Sequence, residues 1–201
     1  MKRVGVLALQ GAVSEHLAML SATGMKGFPV RHPKDLDSLD ALILPGGEST
    51  VMSRLMDQKN LRAPIKTFAK EKAIMGTCAG LILCAETVLA SGNIRYGEEL
   101  GETSPNKVEP LGFMPIGVSR NGFGRQRDSF ETLLKVEGME ESIPAVFIRA
   151  PYIEHADSSV QILARVEGKS VMARYKKCMV TAFHPELTDD YRIADFFCRM
   201  I

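Results

Sequence analysis

The sequence contains no tryptophan, few aromatic residues and no long apolar run. Aromatic residues make up 6% of the 201 positions. No apolar stretch approaches the roughly 20 residues that a membrane-crossing helix needs. The apolar run after Met1-Lys2-Arg3 ends at Gln10-Gly11, which is too short for the core of a signal peptide. We therefore expect a soluble cytoplasmic protein that does not associate with a membrane.

The sequence also lacks an excess of one charge and a cysteine pattern that would indicate a specialised class of protein. The 25 basic and 24 acidic residues leave a formal net charge of +1, whereas binding of nucleic acid needs a concentrated basic face. The cysteines at 78, 84, 178 and 198 form no C-x-x-C pair. A disulfide framework or a structural zinc site is therefore not expected, and a reducing cytoplasm fits better. We expect no nucleic-acid partner, no metal and no cofactor.

Strand and helix patterns alternate in the first half of the chain. Apolar runs at 4–9, 41–44 and 73–75 predict buried strands, and helical patterns cover 12–22, 51–56 and 63–71. Alternation of this kind predicts a mostly parallel sheet with helices on both faces. The prediction is thus a single α/β domain over residues 1–201, built as a three-layer sandwich.

The second half predicts a small antiparallel portion of the same sheet. Strand-like segments lie at 130–136, 145–148, 160–166, 170–175 and 179–183, some joined by turns too short for a parallel crossover. A final helix is predicted over 189–200, with Ile193, Phe196 and Phe197 facing inward. Residues 91–115 are rich in Gly, Glu, Asn and Pro, and they predict a long loop that is either functional or a plain surface insertion.

Cys78 is the first candidate for chemistry. It lies in Gly76-Thr77-Cys78-Ala79-Gly80, between a predicted strand and a predicted helix. This arrangement is typical of a nucleophile elbow, in which flanking glycines allow a tight turn around a strained central residue. The turn would place the sulfur at the carboxyl end of the sheet and at a helix N-terminus, where a thiolate is stabilised. A buried structural cysteine in a chance G-x-C-x-G pattern is the alternative.

A base and an orienting acid are found in Phe183-His184-Pro185-Glu186, directly after a predicted strand. An imidazole can accept the proton of a thiol and later protonate a leaving group. The Glu186 carboxylate can fix the tautomer and direction of the His184 ring. A surface His-Pro turn is the alternative. His16, His32 and His155 lack such a context, and we interpret them as structural or surface residues.

The third motif is Pro45-Gly46-Gly47-Glu48-Ser49, again between a strand and a helix. Adjacent glycines can present backbone N–H groups to a developing oxyanion. An ordinary glycine turn or a phosphate cradle is possible too, although the Lys of a P-loop is missing. Together the motifs supply nucleophile, base, orienting acid and oxyanion donors. A metal site made of Cys78, His184 and Glu186 is a weaker alternative, because metal ligands rarely lie in a nucleophile elbow.

The three motifs, in this order, resemble the class I (triad) glutamine amidotransferases, and more closely the glutaminase subunit of pyridoxal 5′-phosphate synthase. The resemblance runs nearly end to end and implies a flavodoxin-like α/β fold. The segments that carry it are 6–11 (VLALQG), 44–50 (LPGGEST), 76–82 (GTCAGLI), 120–126 (RNGFGRQ), 146–151 (VFIRAP) and 183–188 (FHPELT). The Asn-x-Phe-Gly-Arg-Gln segment (121–126) and the Phe-Ile-Arg-Ala-Pro segment (147–151) separate this subfamily from glutaminases of other pathways.

The resemblance implies a role for each matching residue. Cys78 would be the nucleophile, His184 the base and Glu186 its orienting acid, with the backbone amides of Gly47 and Ala79 in the oxyanion hole. The residues implied to bind L-glutamine are Gly46, Gly47, Glu48, Ser49, Arg120, Ile148 and Arg149. Structural ion pairing is the alternative for the two arginines, and Arg125 is given no more than a role in bracing its loop.

The resemblance further implies that the chain hydrolyses glutamine and passes ammonia to a synthase subunit in a large hetero-oligomer. That subunit would combine ammonia with a pentose phosphate and a triose phosphate to make pyridoxal phosphate. One departure from the family pattern is a longer segment at 93–111, which leaves its local structure and partner contacts open. A glutaminase with another acceptor, a cysteine peptidase and an inactive scaffold are the remaining alternatives.

Overall fold

The computed structural model describes residues 1–90, 94–95, 108–120 and 129–201. The helices in these ranges are α1 (Val13–Ala22), α2 (Ser49–Gln58), α3 (Arg62–Phe68), α4 (Ala79–Cys84) and α5 (Arg192–Cys198), with 3-10 helices at Pro33–Leu36 and Pro185–Leu187. The strands are β1 (Arg3–Leu7), β2 (Lys26–Val30), β3 (Ala41–Leu44), β4 (Ala73–Thr77), β5 (Ala85–Ala90), β6 (Ile94–Arg95), β7 (Met114–Ser119), β8 (Ser129–Leu134), β9 (Ile143–Ile148), β10 (Tyr152–Ala156), β11 (Gln161–Val166), β12 (Lys169–Tyr175) and β13 (Cys178–Thr181). In this part of the chain no helix has the length and apolar character needed to cross a membrane.

The described strands form one large mixed sheet and a separate two-stranded ribbon. The order in the large sheet is β2-β1-β3-β4-β13-β12-β10-β7-β5-β6, with β11 also paired to β12. Strands β2, β1, β3, β4 and β13 are mutually parallel, whereas β12 and β10 pair antiparallel with their neighbours. The predicted α/β class, with a mixed sheet and an antiparallel C-terminal portion, is confirmed.

Helices cover both faces of the parallel strands, which explains why those strands are apolar along their whole length. A Cβ on Gly27 of β2 would meet Leu17 and Leu20 of α1. On the opposite face, a Cβ on Gly76 of β4 would meet the backbone of Gly80 and the sulfur of Cys84 in α4. The predicted three layers are therefore present in this half of the sheet.

The register of the parallel strands brings three strand ends together. Leu44 of β3 pairs with Gly76 of β4, and Thr77 of β4 pairs with Thr181 of β13. Each strand therefore ends at the same edge of the sheet, and the loops that follow are neighbours. These loops begin at Pro45, Cys78 and Ala182, so the topology gathers the three sequence motifs at one place.

The ribbon of β8 and β9 packs against the end of β13. Phe147 of β9 stacks on Phe130 of β8 with ring centroids 4.6 Å apart, and its ring lies 5.7 Å from that of Phe183. Phe147 and Phe183 are fully buried. In addition, the backbone N–H of His184 donates to the carbonyl of Val146 at 2.8 Å. The ribbon therefore fixes the chain immediately before and at His184.

Several strands are not predicted from the sequence. β2 contains Gly27 and Pro29, which weaken a strand pattern, yet it forms at the sheet edge, where a proline can be accommodated. β5, β7 and β10 are also missed. β10 enlarges the antiparallel portion by pairing with β7 and β12, whereas β5 pairs parallel with β7. The predicted loop at 91–115 is wrong at Ile94–Arg95 and from Met114 onward, where strands occur.

Other parts of that prediction fall beyond what the structure describes. Most of the longer segment at 93–111 lies outside the described residues, as does Arg125. The final helix spans Arg192–Cys198, shorter than predicted; Ile193 and Phe197 are buried in it as expected, while Phe196 is only partly buried.

Candidate active site

Cys78 lies in a strained turn between β4 and α4. Its backbone has φ 49° and ψ −100°, a conformation that residues with a side chain rarely adopt. The turn is fixed from both sides, because the Cys78 N–H donates to the Thr181 carbonyl at 2.8 Å and its carbonyl accepts from Leu81 at 3.1 Å. The structure thus has the elbow that the sequence predicts.

Two glycines make this elbow possible. A Cβ on Gly76 would lie 2.5 Å from the Gly80 carbonyl oxygen. A Cβ on Gly80 would lie 2.0 Å from the carbonyl oxygen of Leu44 in β3. Both obstacles are backbone atoms, which cannot move aside as a flexible side chain can. Glycine at 76 and 80 is therefore required for α4 to start this close to the sheet.

His184 and Glu186 form a buried pair next to the elbow. The Nδ1 of His184 lies 2.7 Å from Oε1 of Glu186, whose side chain is fully buried. The 3-10 helix Pro185–Leu187 turns the chain back so that residues two apart can meet. Because Nδ1 donates to the carboxylate, Nε2 of His184 is the nitrogen left for Cys78.

The charged forms of His184 and Glu186 stabilise each other. Burial alone would lower the pKa of His184, but hydrogen bonds to Cys78 and Glu186 and the negative charge of both raise it from 6.5 to about 10. Burial opposes ionisation of Glu186, yet the imidazoles of His16 and His184 hold its carboxyl pKa below the ordinary value. His184 is therefore an imidazolium near neutral pH, and a cation beside the sulfur stabilises a thiolate.

The raised pKa of His184 predicts a pH dependence of stability. Between its ordinary 6.5 and about 10, the native state holds a proton that the unfolded chain has released. This contribution to the free energy of unfolding is complete below the ordinary pKa and is lost as the pH rises through about 10. Urea unfolding should therefore show that the stability advantage of the wild type over His184→Gln shrinks between neutral pH and about pH 10. A constant advantage would contradict the assignment.

The Gly46-Gly47 loop faces Cys78 and His184. A Cβ on Gly46 would lie 2.4 Å from Cε1 of His184, so the loop packs directly against the imidazole. The loop is tied to the segment after β1: the Gly46 carbonyl accepts from Ala12 at 3.1 Å, and the Glu48 N–H donates to Oε1 of Gln10 at 2.8 Å. Gln10 is not among the residues predicted for the site, although it follows a strand that ends at the same sheet edge.

The predicted residues share one cleft of about 490 Å³. It is lined by Gln10, Gly11, Ala12, Gly46, Gly47, Glu48, Ser49, Cys78, Ala79, Ile82, Arg120, Ile148, Arg149, Pro151, His184 and Leu187. Every residue that the sequence analysis assigned to the site is on this surface except Glu186, which lies behind His184. The Sγ of Cys78 is 3.9 Å from the Ile148 carbonyl oxygen. Ala79 is the first residue of α4, where backbone N–H groups have no partner within the helix.

Glu48 and Arg120 form a charged pair at the edge of the cleft. The Glu48 carboxylate caps α2 by accepting from the N–H groups of Thr50 and Val51, at 3.2 and 2.9 Å. Nη2 of Arg120 lies 3.3 Å from the same carboxylate. Arg149 follows β9 with φ 42°, a second strained residue on the cleft surface. Arg120 therefore forms the structural ion pair that was considered as the alternative to glutamine binding. It also lines the cleft, so its guanidinium can still reach a ligand.

His16 of α1, which the sequence indicates is a structural or surface residue, lies next to the triad. It is fully buried, with Nε2 3.0 Å from Oγ1 of Thr77 and 3.6 Å from Oε1 of Glu186. His32 and His155 are exposed. Nothing local marks His16, since it comes from a helix about 170 residues before Glu186. Across the described ranges, no group of three or more His, Cys, Asp or Glu side chains is placed to hold a metal ion.

The geometry agrees with comparisons to known proteins. A family model described as the SNO glutamine amidotransferase family matches residues 6–201. A pyridoxal 5′-phosphate synthase subunit PdxT from Listeria innocua is 49% identical over 98% of this chain and 97% of the relative. The subunit of that name from Bacillus pumilus is 45% identical over 100% of this chain and 95% of the relative.

Solved structures of other proteins share the fold of this chain. A crystal structure of a glutamine amidotransferase superposes with a TM-score of 0.85 at 38% identity, covering 98% of this chain and 97% of that one. The PurLQS structure from Thermotoga maritima gives 0.67 at 15% identity over 98% and 97%, which supports the fold alone. A family match over nearly all of the sequence, close full-length relatives and a shared fold together show that the chain belongs to the SNO glutamine amidotransferase family.

Proposed function

We propose that this chain hydrolyses L-glutamine to L-glutamate and ammonia, with Cys78 as nucleophile, His184 as acid and base, and Glu186 as orienting acid. One observation carries the proposal: a strained cysteine elbow, a buried imidazole–carboxylate pair and a glycine loop meet in one cleft. These are the parts that acyl transfer through a thioester requires. We further propose that residues 1–201 act as one glutamine amidotransferase domain.

The first half of the reaction forms a thioester. The Cys78 thiolate attacks the side-chain amide carbon of glutamine, and the amide oxygen becomes an oxyanion. Backbone N–H groups of Gly47 and Ala79 donate to this oxygen, where charge develops in the transition state. Nε2 of His184 then gives its proton to the amide nitrogen. The carbon–nitrogen bond breaks, ammonia leaves, and a γ-glutamyl thioester remains on Cys78.

The second half restores the enzyme. Neutral His184 accepts a proton from water while the water oxygen attacks the thioester carbon, and the oxyanion forms at the same N–H groups. The carbon–sulfur bond breaks, glutamate leaves and the Cys78 thiolate is regenerated beside the His184 imidazolium. Glu186 keeps the ring in place throughout, because its carboxylate lies 2.7 Å from Nδ1.

Recognition of glutamine is proposed for the remaining cleft residues. An arginine can pair with the α-carboxylate of the substrate, and carbonyl and carboxylate oxygens can accept from its ammonium. The residues proposed for this role are Gly46, Gly47, Glu48, Ser49, Arg120, Ile148 and Arg149. Arg120 and Arg149 supply positive charge to the cleft, while Glu48 and the Ile148 carbonyl are acceptors.

The proposed receiver of the ammonia is a pyridoxal 5′-phosphate synthase subunit. The support is the name of the relatives, which describes them as subunits of that synthase. We propose a large hetero-oligomer in which the partner uses the ammonia to build pyridoxal phosphate. All four cysteines are free, and a catalytic thiol fits the reducing cytoplasm. Low activity of the isolated chain and activation on docking are expected, since ammonia released without an acceptor is wasted.

The test mixes the chain with the synthase subunit of its own organism and follows pyridoxal phosphate formation. Glutamine should support synthesis only when this chain is present, whereas an ammonium salt should support it without the chain. Glutamate release should rise when the two proteins are mixed. Glutamate release without pyridoxal phosphate would indicate another acceptor. Turnover of peptides in place of glutamine, or no hydrolysis by the mixture, would overturn the proposed activity.

A further inference from the structure

His16 is a buried histidine that the proposed reaction does not use. It extends from α1 toward the end of the sheet that holds the triad, and its side chain is completely excluded from solvent. The 3-10 helix that carries Glu186 packs against α1. A polar ring in such a place needs partners, because burying an unpaired polar group costs free energy. Its partners are Thr77, next to the nucleophile, and Glu186, the orienting acid.

The contacts assign the proton of the His16 ring. Nε2 lies 3.0 Å from Thr77 Oγ1 and 3.6 Å from Glu186 Oε1, while Nδ1 has no hydrogen-bond partner among the described residues. A proton on Nδ1 would leave a buried N–H unsatisfied and would point the Nε2 lone pair at a carboxylate. With the proton on Nε2, the N–H donates to Thr77 and directs its positive end toward Glu186.

The charge state of His16 is set by its surroundings. Burial lowers the pKa of His16, Glu186 raises it, His184 lowers it, and Glu15 on the same helix raises it. The net effect is a lowered pKa, so His16 is neutral near neutral pH. A neutral ring contributes a donor without competing with the His184 imidazolium for the charge of Glu186. The distance of 3.6 Å is too long for a hydrogen bond, so the contact acts through the dipole of the ring N–H, in a place where water is excluded.

We propose that His16 is a positioning residue of the triad, which holds the Glu186 carboxylate so that Oε1 stays aimed at Nδ1 of His184. Oε1 is the atom that both imidazoles approach, at 2.7 Å from His184 and 3.6 Å from His16. Oε2 has no partner in the described part of the chain. Without His16, only one of these contacts would fix the orientation of the carboxylate. This inference rests on the proposed function of Cys78, His184 and Glu186.

The test compares His16→Leu with His16→Gln. Leucine removes the donor, whereas the glutamine amide can place an N–H close to the position of Nε2. We expect His16→Leu to lower kcat for glutamine about ten-fold with KM within about two-fold, because the contact acts on chemistry and not on substrate binding. His16→Gln should recover most of the loss. A matched control is Leu20→Ala, which truncates a fully buried residue of the same helix that packs beside Gly27 of β2.

A second readout needs neither glutamine nor the partner. The rate of Cys78 alkylation by iodoacetamide, measured by mass spectrometry of the Cys78 peptide, reports the thiolate as a function of pH. In His16→Leu the midpoint should move to higher pH, because a misplaced Glu186 stabilises the His184 imidazolium less well. The midpoint should stay at the wild-type value in His16→Gln and in Leu20→Ala.

The outcomes separate the inference from the function on which it rests. If Cys78 of the wild type is alkylated with the described pH dependence but glutamine is never hydrolysed, the proposed function fails. The role of His16 is still tested by the alkylation midpoints of the variants. An alkylation midpoint that is unchanged or lowered in His16→Leu overturns the assignment. If His16→Leu does not fold, the near-isosteric Thr77→Val removes the group that anchors Nε2 and should give a smaller upward shift. No shift in that variant also overturns it.

Discussion

Replacing Cys78 with alanine is expected to abolish glutamine hydrolysis, with a fall in kcat of about 10⁴-fold or more. The sulfur is the only atom proposed to form a bond with substrate, so removing it leaves the oxyanion donors and His184 with nothing to assist. Glutamate release in the presence of the synthase subunit is the measurement. Synthesis of pyridoxal phosphate from an ammonium salt should be unaffected, because that route does not need Cys78.

The same helix provides a matched control for this substitution. Cys84 ends α4 and is fully buried, and a Cβ on Gly76 of the elbow would lie 2.9 Å from its sulfur. It is not among the residues that line the cleft. Burial and the neighbouring Cys178 raise the pKa of the Cys84 thiol well above its ordinary value, so Cys84 is a poor nucleophile. Cys84→Ala should therefore retain most of the activity at a modest cost in stability. Equal activity of Cys78→Ala and wild type would disprove the nucleophile assignment.

The sequence could predict the motifs of the site because each is local. A buried apolar strand followed at once by a glycine turn or by His-Pro can be recognised within a few residues, as at Cys78 and His184. Parallel strands then bring those turns to one edge of the sheet. The pairings Leu44 with Gly76 and Thr77 with Thr181 show this principle at work.

The residues that the sequence could not predict are placed by tertiary structure. His16 reaches Glu186 only because α1 and the 3-10 helix pack together. Gln10 accepts from Glu48 only because β1 and β3 are neighbours in the sheet. The strand β2 is similar: its own residues favour a strand weakly, and pairing with β1 decides its conformation. Local patterns carry no information on such contacts.

A methyl group on Gly46 is expected to damage catalysis strongly while leaving the fold intact. In Gly46→Ala the new Cβ would lie 2.4 Å from Cε1 and 3.0 Å from Nδ1 of His184. His184 cannot yield freely, because its Nδ1 is bonded to Glu186 and its N–H to Val146. The ring, the glycine loop or both must shift by several tenths of an ångström. We expect kcat to fall about 100-fold, since catalysis is sensitive to misplacement on this scale.

A second glycine in the same protein offers the matched control. A Cβ on Gly117 of β7 would lie 2.2 Å from Cε1 of His155, which is the same kind of clash with an imidazole. His155, however, is exposed on β10, so its ring can rotate into solvent at little cost. Gly117→Ala should therefore keep activity close to that of wild type. The contrast depends on one difference between the two sites: the His184 ring is buried and bonded to Glu186, whereas the His155 ring is exposed.

Measurements of kcat, KM and Cys78 alkylation on both alanine variants test this contrast. In Gly46→Ala the alkylation rate near neutral pH should fall along with kcat, because a displaced His184 no longer supports the thiolate. Circular dichroism and thermal unfolding should show that both variants retain the fold. Full activity of Gly46→Ala would mean that the loop moves away from His184 without cost. Close packing of the loop would then not determine the position of the imidazole. If Gly117→Ala lost as much activity as Gly46→Ala, the damage would come from general disturbance of the sheet, and the specific link between Gly46 and His184 would be refuted.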